Sequence, residues 1–139
     1  MKPREEKMHQ QKILVLVGIS TKDLKGVHYT LSLAERITTK VFIVQQSEGR
    51  EKQEPHSIWL EEALHDLINS ARLAGLNVTH LIAVGDIVKE ITSLVKSEGI
   101  TLLVLGVDDE ECESFMLQLK PHLPCRIVQV KEKDHISYL

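Results

Sequence analysis

The sequence predicts an α/β fold: one open, parallel sheet with helices on both faces. Three observations carry that expectation. Five short apolar runs, residues 13–17, 41–44, 78–84, 101–105 and 125–130, recur along the chain. Between them, apolar residues return at helical rather than alternating spacing. Glycines stand just past three of the runs, at Gly18, Gly85 and Gly106. A run that is apolar on both faces suits a strand covered on both sides. Regular strand–helix alternation implies right-handed crossovers in a parallel sheet.

Residues 1–11 are polar and mixed in charge, lack the apolar core of a secretory signal, and read as a disordered arm. Ile13-Leu14-Val15-Leu16-Val17 is the first strand, stopped by Gly18. A helix follows, with Leu24, Val27, Leu31 and Ala34 on one face and Leu33 and Ile37 beside it. Val41-Phe42-Ile43-Val44 is the second strand. Residues 45–57 are hydrophilic, include Gly49 and Pro55 and show no periodicity, which predicts a loop. Leu60, Leu64, Leu67, Ile68 and Ala71 mark the second helix, with Gly75 placed as its C-terminal cap. Trp59 opens that helix in an expected packing role; exposed, it would instead cover a ligand cleft. After the third strand, Asp86 is placed to cap a helix that turns Ile87, Ile91, Leu94 and Val95 inward and stops at Gly99. The fourth strand ends at Gly106. Phe115, Met116 and Leu119 belong to a shorter helix ended by Pro121, and a last strand is followed by a polar tail over 132–139. The whole of 12–131 reads as one domain, since 139 residues suffice for one core without staples.

Composition narrows the function. A net charge of -3 argues against a general binder of nucleic acid or of anionic membranes. Aromatic residues make up 4% of the chain, too few for a base-stacking platform. No apolar stretch has the length of a membrane-spanning helix, so no direct membrane insertion is expected. Cys112 and Cys125 show neither CxxC nor zinc spacing and read as reduced thiols of a cytoplasmic protein. The seven histidines show no i, i+4 metal pair and are not expected to converge: His28 and His65 fall on helices, His80 in a strand, His56 and His122 beside prolines.

Ligands of open parallel sheets bind beyond the carboxyl ends of the strands. Those ends supply the candidate ligand-binding residues: Gly18, Ile19, Ser20, Gln45, Val84, Gly85, Gly106 and Val107. Ser20 would donate to a phosphate or ribose, or start the turn into the helix with Thr21 and Asp23. Past Gly106 the chain continues Val107-Asp108-Asp109-Glu110-Glu111-Cys112-Glu113. Carboxylates favour the first turn of a helix. They would also offer a divalent cation hard oxygens, with Asp108 and Asp109 as weak candidates, although the spacing fits no EF-hand loop. A partner surface is the third reading. In each case the run opposes a polyphosphate: like charges 4 Å apart repel by about 1 kcal/mol per pair even in bulk water.

Three stretches resemble the universal stress protein (UspA-like) family. They are Lys12-Ile13-Leu14-Val15-Leu16-Val17 with Ser20 beyond it, Val84-Gly85-Asp86-Ile87-Val88-Lys89-Glu90-Ile91 running on to Thr101-Leu102-Leu103-Val104-Leu105-Gly106, and Leu123-Pro124-Cys125-Arg126-Ile127-Val128-Gln129-Val130. The resemblance spans about residues 12–131. It implies a five-stranded parallel sheet in the order 3-2-1-4-5, Rossmann-like and similar to the adenine nucleotide alpha hydrolases. It also implies a homodimer paired through the last strand, Arg126, Ile127, Val128, Gln129 and Val130. That strand would be an apolar edge, and a bare edge invites a partner.

The chain departs from the family's ATP-binding pattern. Members that bind ATP carry G-x2-G-x9-G-(S/T) after the fourth strand; counted from Gly106, those positions are Asp109, Leu119 and Lys120 here. The family's Asp at the end of the first strand is Gly18. The resemblance therefore points to the non-ATP-binding branch: a dimeric stress-response or regulatory module of the cytoplasm, with no catalytic residue and no cofactor expected. Two alternatives stand beside it. One is a nucleotide binder (ATP or AMP) or slow ATP hydrolase using the strand-end crevice. The other is a regulatory domain acting with a membrane transporter. The protein partner is not readable from the sequence.

Overall fold

The computed structural model describes residues 11–18, 24–37, 39–47, 55–106, 110–132 and 135–138. Its elements are β1 (Gln11–Val17), α1 (Lys25–Arg36), β2 (Thr39–Ser47), α2 (Pro55–Leu73), β3 (Asn77–Val84), α3 (Ile87–Glu98), β4 (Leu102–Gly106), α4 (Glu110–Leu119), a 3-10 turn (Lys120–His122), β5 (Arg126–Glu132) and β6 (His135–Tyr138). The sheet runs β3-β2-β1-β4-β5-β6. The first five strands are parallel in the expected order. β6 is antiparallel to β5.

Side chains alternate along each strand and so divide the core into two layers. Ile13, Val15 and Val17 of β1, with Val41, Ile43, Val78, Val104 and Val128, pack against α1 and α2. Leu14 and Leu16, with Phe42, Val44, Leu103, Leu105 and Ile127, pack against α3 and Leu119 of α4. This is the arrangement right-handed crossovers require. The chain steps one way across the sheet through α1 and α2, then returns past β1 through α3 on the opposite face. Leu24, Val27, Leu31 and Ala34 are buried as their spacing predicts, whereas Ile37 lies exposed past the end of α1.

Three expectations need correction. The loop expected over 45–57 is shorter: β2 runs to Ser47, held by β3 through Gln46↔Ala83 and Ser47↔Val84, and α2 begins at Pro55. Proline is well placed in the first turn of a helix, where its missing N–H costs nothing. The tail over 132–139 contains a strand, with Val128↔Tyr138, Gln129↔Ser137 and Val130↔Ile136 in register and an irregularity at Glu132. The segment Arg126, Ile127, Val128, Gln129, Val130 is therefore not an open edge. It lies between β4 and β6, and all but Arg126 are buried.

Candidate functional site

The switch point of the sheet lies between the carboxyl ends of β1 and β4, because α1 leaves β1 on one face and α3 reaches β4 from the other. Leu16 pairs with Leu105, so Gly18 and Gly106 close this crevice from its two sides, both half-buried. A third glycine, not singled out in the sequence, completes it. Gly26 in the first turn of α1 is buried against Gly106: a Cβ there would stand 3.4 Å from the Gly106 nitrogen and 3.5 Å from Val15 Cγ2. Those are ordinary van der Waals distances, so Gly26 marks the place where the helix lies directly against the strand end. Thr30 supports the turn, its buried hydroxyl donating to the Gly26 carbonyl at 2.9 Å. Among the described residues no side chain caps the start of α1, and none in its first turn is acidic. The positive end of a helix dipole therefore faces the crevice with no carboxylate of its own helix upon it.

The other candidates spread out from this point. Gln45 pairs with Val17 on the far side of β1, and its Oε1 lies 2.9 Å from His80 Nε2. Val84 and Gly85 end β3, three strand spacings (about 14 Å) from β4. Val84 is exposed. Gly85 adopts φ +100, with nothing within 4 Å of where a Cβ would stand, so its residue type answers to a left-handed turn. Asp86 then caps α3, accepting from the Lys89 N–H at 3.2 Å. Ile19, Ser20, Val107, Asp108 and Asp109 lie outside the described residues, which contain no cluster of three or more His, Cys, Asp or Glu able to hold a metal. α4 begins at Glu110, placing Glu110, Glu111 and Glu113 in its first turn. Leu119, at the family's third glycine position, is fully buried in the core.

Two histidines that look unrelated in sequence do converge. The rings of His65 on α2 and His80 on β3 meet edge-on, 5.7 Å between centroids. Burial lowers the His80 pKa from its ordinary 6.5; His65 and Arg72 push the same way and Glu61 opposes them. Nothing in the sequence pairs these rings, because the contact depends on α2 lying along β3. Trp59, expected to pack, is 72% exposed. Cys125 is a free thiol, half-buried, and burial raises its pKa. At the opposite end of the sheet, the amino ends of β1, β4 and β5 border an open groove of about 890 Å³ lined by Tyr29, Leu33, Thr101 and Arg126 among others. No described helix is long and apolar enough to cross a membrane.

Comparison with known proteins places this architecture. No protein-family profile matches the sequence, and no curated protein does. Solved structures do. A universal stress protein from Archaeoglobus fulgidus superposes with TM-score 0.63 at 14% identity, covering 91% of this chain and 98% of that one. One from the same organism, in complex with dAMP, gives 0.61 at 15% identity, with 87% and 98% covered. A universal stress protein family member from Arabidopsis thaliana with AMP bound gives 0.56 at 18% identity, with 89% and 93% covered. At such identities the likeness is one of fold. The chain has the five-stranded architecture of universal stress proteins, with β6 added at its edge.

Proposed function

We propose that this chain is a universal-stress-protein-like regulatory module that performs no catalysis and holds no triphosphate. The observation that carries this reading is the acidic connection from β4 into α4. A triphosphate needs backbone N–H groups from a glycine-rich turn and surroundings free of negative charge. Here Gly106 leads through Asp108 and Asp109 into a helix whose first turn holds Glu110, Glu111 and Glu113. The later glycine position is Leu119, a core residue whose replacement by glycine would open a cavity.

A second reading is favoured by a separate observation. The start of α1, which has no acid in its first turn and no cap from a described side chain, lies at the Gly18–Gly106 crevice. Two proteins of the same fold are described with dAMP and AMP. A mononucleotide, with one phosphate to place, would meet the α1 terminus while keeping clear of the acidic start of α4.

Thermal unfolding with and without nucleotide separates these readings, because a ligand bound only to the folded state raises Tm. At a hundredfold excess over Kd the stabilisation is about 2.7 kcal/mol, roughly 10 °C for a domain of this size. Magnesium-ATP at millimolar concentration is expected to leave Tm unchanged. A rise with AMP alone would select the mononucleotide reading. A rise with ATP, or ATP turnover by the purified protein, would overturn the proposal.

A further inference from the structure

The groove of about 890 Å³ at the amino ends of β1, β4 and β5 lies at the opposite end of the sheet from the Gly18–Gly106 crevice. Its walls come from both faces of the sheet. Tyr29 and Leu33 of α1, with Ile37 just past the end of that helix, recur every four residues and line one side. Ile37 is exposed at the protein surface and is apolar wall here. The end of α3 borders the other side, with Val95 and Ile100 buried beneath it. Leu102 opens β4 and Cys125 precedes β5; both line the groove and are half-buried.

The charge of this groove has one sign. Lys96 and Arg126 stand among the residues that line it, and no Asp or Glu does. Both cations are exposed, and among the described residues neither side chain has a hydrogen-bond or ion-pair partner. They share one corner. Lys96 is in the last turn of α3, and the Arg126 N–H donates at 3.2 Å to the carbonyl of Thr101, two residues past the Gly99 cap of that helix. The carboxyl end of a helix opposes an anion through its dipole. Here the N–H groups of Gly99 and Ile100 both donate to the Val95 carbonyl, and Lys12 Nζ donates to the Glu98 carbonyl at 2.8 Å. The Glu98 carboxylate lies 4.0 Å from the same ammonium. Lys12 thus engages the negative groups of this corner and leaves Lys96 and Arg126 to meet a guest.

We propose that this groove is a binding site for an amphipathic anion of the chemical class of a medium-chain fatty acid. The apolar chain lies along Tyr29, Leu33 and Ile37, and the carboxylate meets Lys96 and Arg126. Small-molecule sites are concave, about 300–1,000 Å³ in volume and mostly apolar, with a few polar groups that fix orientation. This groove has that size and that lining. The apolar stripe contributes in proportion to the area it covers, and the two cations select the head by charge-assisted hydrogen bonds. A neutral apolar guest would gain nothing from the cations, and a polar polyanion would leave the stripe in water. The groove shares no described residue with the crevice at the β1 and β4 strand ends and does not depend on what that crevice holds.

Calorimetric titration of the full chain with laurate tests the site. One molecule per chain is expected to bind with a Kd below about 1 mM. Dodecyltrimethylammonium, with the same tail and the opposite charge, and acetate, with the head and no tail, are each expected to bind at least about tenfold more weakly. In a Cys112→Ser chain, saturating laurate is expected to slow the reaction of Cys125 with a thiol reagent several-fold, because the thiol lines the groove. Lys96→Glu/Arg126→Glu is expected to weaken laurate at least about tenfold while circular dichroism matches the parent, since both side chains are exposed. The amphiphile and thiol measurements keep Lys96 and Arg126 and stand even if that double variant unfolds. No saturable laurate binding, equal binding of the cationic amphiphile, a Cys125 reaction that laurate leaves unchanged or speeds, or a folded double variant that binds as the parent does would each overturn the proposal.

Discussion

At Gly26, an added methyl group would meet the backbone of Gly106 at 3.4 Å, an ordinary van der Waals contact, so the residue marks where α1 lies against the strand end. A glycine in an amphipathic helix reads in sequence as a mild defect; that it lies against the end of β4 is visible only in the fold. His80 is legible as a strand residue and nothing more, yet burial beside His65 and Arg72 lowers its pKa, with Glu61 opposing. The folded chain therefore binds fewer protons than the unfolded chain between the lowered value and 6.5. Stability is full above that window and falls as pH drops through it. His80→Gln is expected to flatten the loss of stability between about pH 7 and 5, measured by urea unfolding at each pH. An unchanged slope would assign the acid sensitivity to other groups.

The helices and strands are readable to different degrees, for local reasons. α3 carries its own signals. Asp86 accepts from the Lys89 N–H at one end, and Gly99 at φ 72 donates to the Val95 carbonyl at the other. Asp86→Ala is expected to cost about 1 kcal/mol, lowering Tm by a few degrees with the fold intact. A fall of less than a degree would show that solvent caps the helix equally well. β2 reads too short in sequence because Gln45, Gln46 and Ser47 are polar; Gln45 is held between β1 and β3, and Gln46 and Ser47 extend the strand by pairing with β3. The start of α2 is hidden in the same way, since Pro55 reads equally well as a loop residue. β6 escapes the sequence pattern because it is four residues long in a polar segment; Ile136 and Tyr138, alternating with His135 and Ser137, are its only local sign.

Across the whole molecule, the addition of β6 changes which surface is open. β5 has the apolar character of a strand that would meet a partner, but the chain's own last strand takes that position. Removal of residues 133–139 would bare the outer side of β5 and leave the sheet with long edges at both ends. The expected outcome is a lower Tm together with increased self-association, read by light scattering. A truncated chain that behaves as the parent does would mean that β6 contributes neither cover nor stability. The candidate site divides at this scale too. Gly18 and Gly106 come together because β1 and β4 are neighbours, while Gly85 closes a strand at the far edge.

The fold class was determined by the sequence alone, because burial on both faces leaves continuous apolar runs and right-handed crossovers leave few arrangements of them. The strand ends were equally legible, since glycines and caps act within a few residues of themselves. What only the tertiary structure decided were contacts between distant segments: Gly26 on Gly106, His65 on His80, Arg72 over the start of β3, and β6 along β5. These depend on which elements become neighbours in space. Local periodicity does not record neighbours, so the site became visible only once the sheet was assembled.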